Sequence, residues 1–232
     1  MDKQAISELY KEYCNLKPLS SGIYKTIYAS ITNGYLNSGD RITIEGLADL
    51  CHASRTPVRE AVRQLETDEV LAYDQRVGYY VKIYSEKDCL DLFEVLHILQ
   101  LSAVKLACST VSESYLTMLE NNVNRCTEDM DPVEFFRLNS EFHIIIARST
   151  NNIFLANAIE HLYSKLFLFD FAKHPRLNIP VSIQQHRRLI DALRNQDAQQ
   201  AILIHEEHAK KTGNYLSWAL DSGNATFSRT VL

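Results

Sequence analysis

Residues 54–65, Ser54-Arg55-Thr56-Pro57-Val58-Arg59-Glu60-Ala61-Val62-Arg63-Gln64-Leu65, read as a short helix with two chemically different faces. Val58, Ala61, Val62 and Leu65 recur at three- and four-residue spacing and share one face, while Arg55, Arg59 and Arg63 line a neighbouring one. Ser54 or Thr56 can cap the start by accepting from a free backbone N–H, and Pro57 falls in the first turn, where a missing donor costs nothing. One side packs; the other offers forked donors that match phosphate oxygens and the O6/N7 edge of guanine, on an element that fits the major groove. Three arginines alone are more often a solvated face, so the flanking sequence has to decide.

Upstream, Ile23, Ile27 and Ile31 mark a helical stripe that starts at Gly22 and stops at Asn33-Gly34, a left-handed cap. Ser38-Gly39-Asp40 makes a turn, Arg41-Ile42-Thr43 a brief strand, and Ile44 to Cys51 a second short helix burying Leu47 and Leu50. Two short helices joined tightly, the second with a basic face, make a helix-turn-helix. Downstream, Val70-Leu71-Ala72-Tyr73 and Tyr79-Tyr80-Val81-Lys82-Ile83 flank Asp74-Gln75-Arg76-Val77-Gly78. This is a hairpin placed as the wing of a winged helix, with Gln75 and Arg76 at a tip that can reach a neighbouring groove or phosphate.

Composition sets bounds on this reading. The chain has 232 residues, 46% of them apolar, which is enough to fill one large core or two small ones. A net charge of -5 opposes indiscriminate attraction to nucleic acid or acidic membrane, so any DNA contact must be local, and the arginine helix is a basic island. The five cysteines are odd in number and lack a C-x-x-C pair, which argues against a disulfide framework or a cysteine zinc site and for reduced thiols in a cytoplasm. No uninterrupted apolar run approaches the roughly 18 residues of a membrane span, so no membrane partner is expected.

The expected division is an N-terminal arm of unknown use over 1–21, a winged helix-turn-helix over 22–84, an all-helical domain over 85–221, and a frayed polar tail over 222–232. The arm holds a short amphipathic helix through Ile6, Leu9 and Tyr13, broken by Lys17-Pro18-Leu19-Ser20-Ser21. The second domain reads as six helices near 86–109, 112–127, 131–149, 152–172, 178–195 and 197–221, with breaks such as Asp131-Pro132, Thr150-Asn151-Asn152 and His174-Pro175. The fold class is therefore mainly α, with one small β-hairpin.

Asn139 and His143 are four apart on one of these helices, near Phe135, Phe136 and Phe142, and His186 and His208 lie on later helices. If they converge, three imidazoles and an amide oxygen suit zinc or another divalent first-row metal. Taken singly, each histidine is more often a core or surface residue satisfied by a carbonyl, and the sequence does not force convergence.

Tyr24, Ile27, Ile31, Gly34, Gly39, Leu47-Ala48, the run Ser54 to Ala61, Leu65 and Gly78 keep the order and spacing of the DNA-binding domain of the GntR family of bacterial regulators, which residues 22–83 resemble. The resemblance implies that Arg55 and Arg59 read bases and phosphates with support from Thr56. It gives a DNA-binding set of Ser54, Arg55, Thr56, Arg59 and Arg63 on the helix and Gln75, Arg76 and Gly78 on the wing. Asp68-Glu69 stands where the family usually has a glycine before the wing.

Residues 86–220 resemble the FadR-type (FCD) effector domain of the same family. There an acid, a histidine four residues later and two histidines on later helices hold a divalent metal. Carried over, the ligands are Asn139, His143, His186 and His208, with Asn139 in place of the usual Asp, and the metal is zinc or nickel. His205, one turn earlier on the same face, is set aside because the register from Asp197 favours His208. His97 and Gln100 replace the Arg and Glu of the first effector-domain helix and are the candidate effector-binding residues.

The function these readings imply is a cytoplasmic, homodimeric transcription regulator of double-stranded operator DNA. A small carboxylate bound to the metal, with help from His97, adjusts its affinity. The alternative is a metal-dependent enzyme using the histidine site. It lacks a placed base, because Glu141 is two residues from His143 and there is no H-E-x-x-H pattern. An architectural DNA-binding protein ranks last, since it leaves the Asn139/His143 face without purpose.

Overall fold

A computed structural model describes residues 2–166 and 178–221. The expected break at His174-Pro175, the end of the 152–172 helix and the 222–232 tail lie outside the described residues. The chain divides at Ser85/Glu86 into two units, each with its own core.

The first unit begins with α1 (Lys3–Tyr13), capped by Asp2, whose carboxylate accepts from the Ala5 N–H at 3.1 Å. This segment, read as a separate arm, packs on the next helix: Ile6 is buried, and a Cβ at Gly22 would lie 2.5 Å from the Tyr13 carbonyl oxygen. Only glycine allows the two backbones this close. α2 (Leu19–Thr32) starts three residues before Gly22, because Pro18 supplies an extended N-cap and not a break further on. Its Ile23, Ile27 and Ile31 are buried, and Tyr24 donates its hydroxyl to Asp68 at 2.8 Å.

Then come β1 (Arg41–Ile42), α3 (Ile44–Leu50), α4 (Arg55–Thr67), β2 (Leu71–Asp74) and β3 (Gly78–Val81). The three strands form an antiparallel sheet in the order β1-β3-β2, with Tyr73 opposite Tyr79 and Asp74 opposite Gly78. On α3, Leu47 and Ala48 are buried while Leu50 is only partly covered. The turn between α3 and α4 is closed by His52 at φ 47°. Ser54 holds the N-cap position of α4, yet neither it nor Thr56 makes the expected side-chain cap bond. The helix is held instead by its apolar face: Val58, Ala61, Val62 and Leu65 are fully buried.

The second unit is a bundle of α5 (Glu86–Thr110), α6 (Glu113–Asn124), α7 (Pro132–Ser149), α8 (Ile153–Leu166), α9 (Ile179–Arg194) and α10 (Ala198–Asp221). Asp131 caps α7 by accepting from Val133 and Glu134 N–H groups, with Pro132 in the first turn. Phe135, Leu138, Phe142 and Ile146 of α7 are buried, as are Leu119 of α6 and Ile159 of α8, two helices on which α7 packs. By length and average composition α5 could cross a membrane, which a search for uninterrupted apolar runs missed because His97, Gln100 and Lys105 punctuate it. It packs against α7, α8, α9 and α10, as the central helix of a bundle does.

Candidate functional site

In the first unit, burial of one face of α4 leaves Arg55, Thr56, Arg59 and Arg63 exposed on the other, beside Ser54. Arg59 and Arg63 line a groove with Arg41, Glu45, Tyr73 and Tyr79, between α4 and the sheet. The hairpin tip is ordered by Asp74, whose Oδ1 accepts from the Arg76 N–H at 2.7 Å and the Val77 N–H at 3.0 Å. Gly78 follows at φ 86°, a conformation that closes a three-residue loop and penalises any side chain. Gln75 and Arg76 are thereby held in solvent on the tip. Sequence reasoning missed Glu45, whose Oε1 lies 3.7 Å from an Arg55 terminal nitrogen. It also missed the Tyr73–Tyr79 pair, with ring centroids 4.9 Å apart. Glu45 carries no signal in a helical pattern; the tyrosines are visible only once the strand register is known.

In the second unit, His143 on α7, His186 on α9 and His208 on α10 converge, each offering a ligand nitrogen within 4.8 Å of the others. His143 Nε2 and His208 Nε2 are 3.4 Å apart, and His208 Nδ1–H donates to Gln185 Oε1 at 3.1 Å, which makes Nε2 the unprotonated nitrogen of that ring, turned toward His143. Both ring nitrogens of His186 are buried without a protein partner, and its ring stacks on Phe142 at 4.0 Å. Burial, and after it the neighbouring imidazoles, hold His143 and His186 well below the usual histidine range. Neutral imidazoles with unpartnered nitrogens are the form a divalent cation requires, so these residues fit such an ion. Asn139, one turn before His143, is half-buried and lines the same cavity of about 540 Å³ with His143 and His208.

His97 and Gln100 also line this cavity. The Gln100 side-chain amide donates to the Tyr163 hydroxyl, and the Tyr163 ring stacks parallel to His143 at 6.1 Å. Tyr163 was not singled out in the sequence, where a lone buried tyrosine looks like core. His205 is fully buried, with both ring nitrogens unpartnered, 5.5 Å from the His97 ring and 5.7 Å from His143. Burial, with His208 and His97 nearby, pushes it down to about 3. Glu141, discounted as a base for the enzyme alternative, lies 3.2 Å from Arg125 and 3.9 Å from Arg137.

Comparison with known proteins adds two family matches. The model described as bacterial regulatory proteins, gntR family, covers residues 19–81, and that of the FCD domain covers residues 91–211. The HTH-type transcriptional regulator YdhC of Bacillus subtilis is 29% identical over 80% of this chain and 86% of its own. A second B. subtilis regulator, YcbG, is 26% identical over 89% and 94%. Among solved structures, E. coli McbR/YncC superposes with a TM-score of 0.76 at 20% identity, covering 88% of this chain and all of its own, a likeness of fold.

Proposed function

Because the chain belongs to the GntR family of bacterial regulators and carries its FCD domain, we propose that its operator affinity is set by a small carboxylate held at a divalent metal in the helical unit. The chain is a DNA-binding transcription regulator, and the families and relatives it matches are regulators rather than enzymes. Arg55 and Arg59 read base edges from the major groove, with Ser54, Thr56 and Arg63 beside them, while Gln75, Arg76 and Gly78 place the wing on the backbone.

One observation carries the effector half: three buried imidazoles from three helices aim nitrogens at one point, and those of His186 have no other partner. His143, His186 and His208, with Asn139, would hold zinc or nickel. Bound there, the ion supplies positive charge. All four protein ligands are neutral, so none of that charge is cancelled, and a carboxylate is the effector group that best compensates it. His97 and Gln100 stand in the same cavity to orient the rest of the molecule. The effector acts by binding one state of the protein more tightly than another; its differential affinity is the whole of the coupling to DNA.

A single short helix reads few base pairs, so specificity calls for a homodimer on two half-sites. Exposed Val95 and Ile98 on α5, with Ile153 and Phe154 on α8, offer apolar surface for that interface. The cytoplasm is where such a regulator meets its operator.

The deciding experiment measures metal content of the purified chain and its heat stabilisation by a panel of carboxylates and neutral analogues, before and after chelation. Stabilisation by acids that disappears on chelation is the expected result. Stabilisation that survives chelation, or a neutral analogue that outcompetes every acid, overturns the proposal.

A further inference from the structure

Of the arginines along the exposed face of α4, Arg55 is the one in an ion pair among the described residues, and its partner, Glu45, comes from the first helix of the helix-turn-helix. Among the described residues, Glu45 is also the one acid lining the groove that Arg41, Arg59 and Arg63 make basic. Both side chains are well over half exposed, so at 3.7 Å the pair contributes little to folding. An acid on a surface meant to meet phosphates lowers DNA affinity by like-charge repulsion. A residue that stabilises little and opposes binding calls for a reason in the binding itself.

We infer that Glu45 is a specificity-determining positioning residue, which reserves the Arg55 guanidinium for a base edge. This inference rests on the reading of Arg55 as a base-contacting residue. An unpaired arginine at the start of a recognition helix settles on whichever phosphate is nearest and adds affinity for any sequence. Beside Glu45, part of the Arg55 charge is offset, so approach to a random duplex gains less. Its planar fork still has donors free for the O6 and N7 acceptors of a guanine, and that contact is available only at the right sequence. The carboxylate therefore lowers non-specific binding more than specific binding.

The test selects binding sites from a random duplex library with the full-length wild type, Glu45→Gln, Arg55→Ala and, as a control for net charge, Glu60→Gln, an exposed acid on α4 itself. Binding to the selected duplex and to a scrambled one is then measured against salt. Glu45→Gln is expected to keep the melting temperature and to lose preference at the base positions that Arg55→Ala also loses. Its ratio of specific to scrambled affinity should fall about tenfold, on the scale of one bidentate base contact. The slope of log affinity against log salt on the scrambled duplex should steepen, by at most about 0.9, the value for one additional phosphate neutralised. An unchanged ratio, or an equal fall in Glu60→Gln, overturns the role of Glu45. If Arg55→Ala selects the same sites as wild type, the reading of Arg55 itself fails, and the role of Glu45 falls with it.

Discussion

The Nε2 atoms of His143 and His208 lie 3.4 Å apart inside the helical unit, and the second nitrogen of His208 is tied to Gln185 at 3.1 Å. Gln185 is one residue before His186 on α9, so a single turn of helix both supplies a ring and orients another. Removing such an outer partner typically lowers metal affinity about 10–100-fold without touching a ligand. Gln185→Ala is therefore expected to weaken zinc or nickel in competition with a chelator by that factor, while His143→Ala abolishes chelator-sensitive stability. Wild-type metal affinity in Gln185→Ala would remove the orienting role.

Asn139 lines the cavity as a neutral group, one turn before His143. Asn139→Asp is expected to raise metal affinity, since a carboxylate is a stronger ligand than an amide oxygen. It should also weaken binding of the proposed carboxylate effector, because one negative charge is then already supplied. Calorimetric titrations of metal and of the acid identified by heat stabilisation check both signs. If the two affinities rise together, the charge argument for the effector class is wrong.

His143, His186 and His205 are neutral in the fold because burial opposes their protonation. Their folded pKa values are depressed below the ordinary 6.5, so below that pH the unfolded chain binds more protons than the native one. The contribution of these neutral rings to the stability of the metal-free helical unit is thus fully present above about 6.5 and lost as pH falls toward the folded values, for His205 toward about 3. Urea midpoints of chelated protein should hold level from pH 7.5 to about 6.5 and fall from there to 4.5, and His205→Leu should flatten the fall. A midpoint independent of pH would mean these rings are solvated.

How much of this was legible in the sequence depended on the range of the interaction. The apolar stripe of α4 fixed its buried face, because side-chain spacing along a helix is local information. The wing followed from β-branched and aromatic runs around a turn. Convergence of His143, His186 and His208 was not local: it depends on three helices meeting, and only the resemblance argued for it. Glu45 and His205 matter through neighbours that lie across a fold, so no periodicity could mark Glu45, and a register argument passed over His205. The missing Ser54 cap shows the reverse case, where a local preference yields to the packing of Val58 and Leu65.

Glu69, in the turn before the wing, is held at φ 58°, a region that costs a residue with a Cβ about 1–2 kcal/mol. It partly compensates through Lys82, whose ammonium lies 3.2 Å from its carboxylate in a half-exposed pair worth at most about 1 kcal/mol. Glu69→Gly relieves the first and gives up the second, at some entropic cost, and is expected to stabilise the first unit by about 0.5 kcal/mol. Glu69→Ala keeps the strain and loses the pair, so it should destabilise. Chemical denaturation of both variants separates the terms, and equal effects would show that backbone strain is not involved.

The helix and the wing are expected to fail in different ways. Arg55 projects from the first residue of α4, where a recognition helix meets base edges, whereas Arg76 sits on an exposed tip whose backbone donates to Asp74. Arg55→Ala should cost about 1–3 kcal/mol on the selected operator, the range for a bidentate base contact, and much less on a scrambled duplex. Arg76→Ala should weaken both duplexes by a similar factor and make the slope of log affinity against log salt shallower by about 0.9, the loss of one phosphate neutralised. Titrations of each variant at several salt concentrations distinguish the two patterns. If Arg76→Ala instead changes which bases are preferred while leaving the slope intact, the wing reads sequence, and the division between a reading helix and a positioning wing has to be reversed.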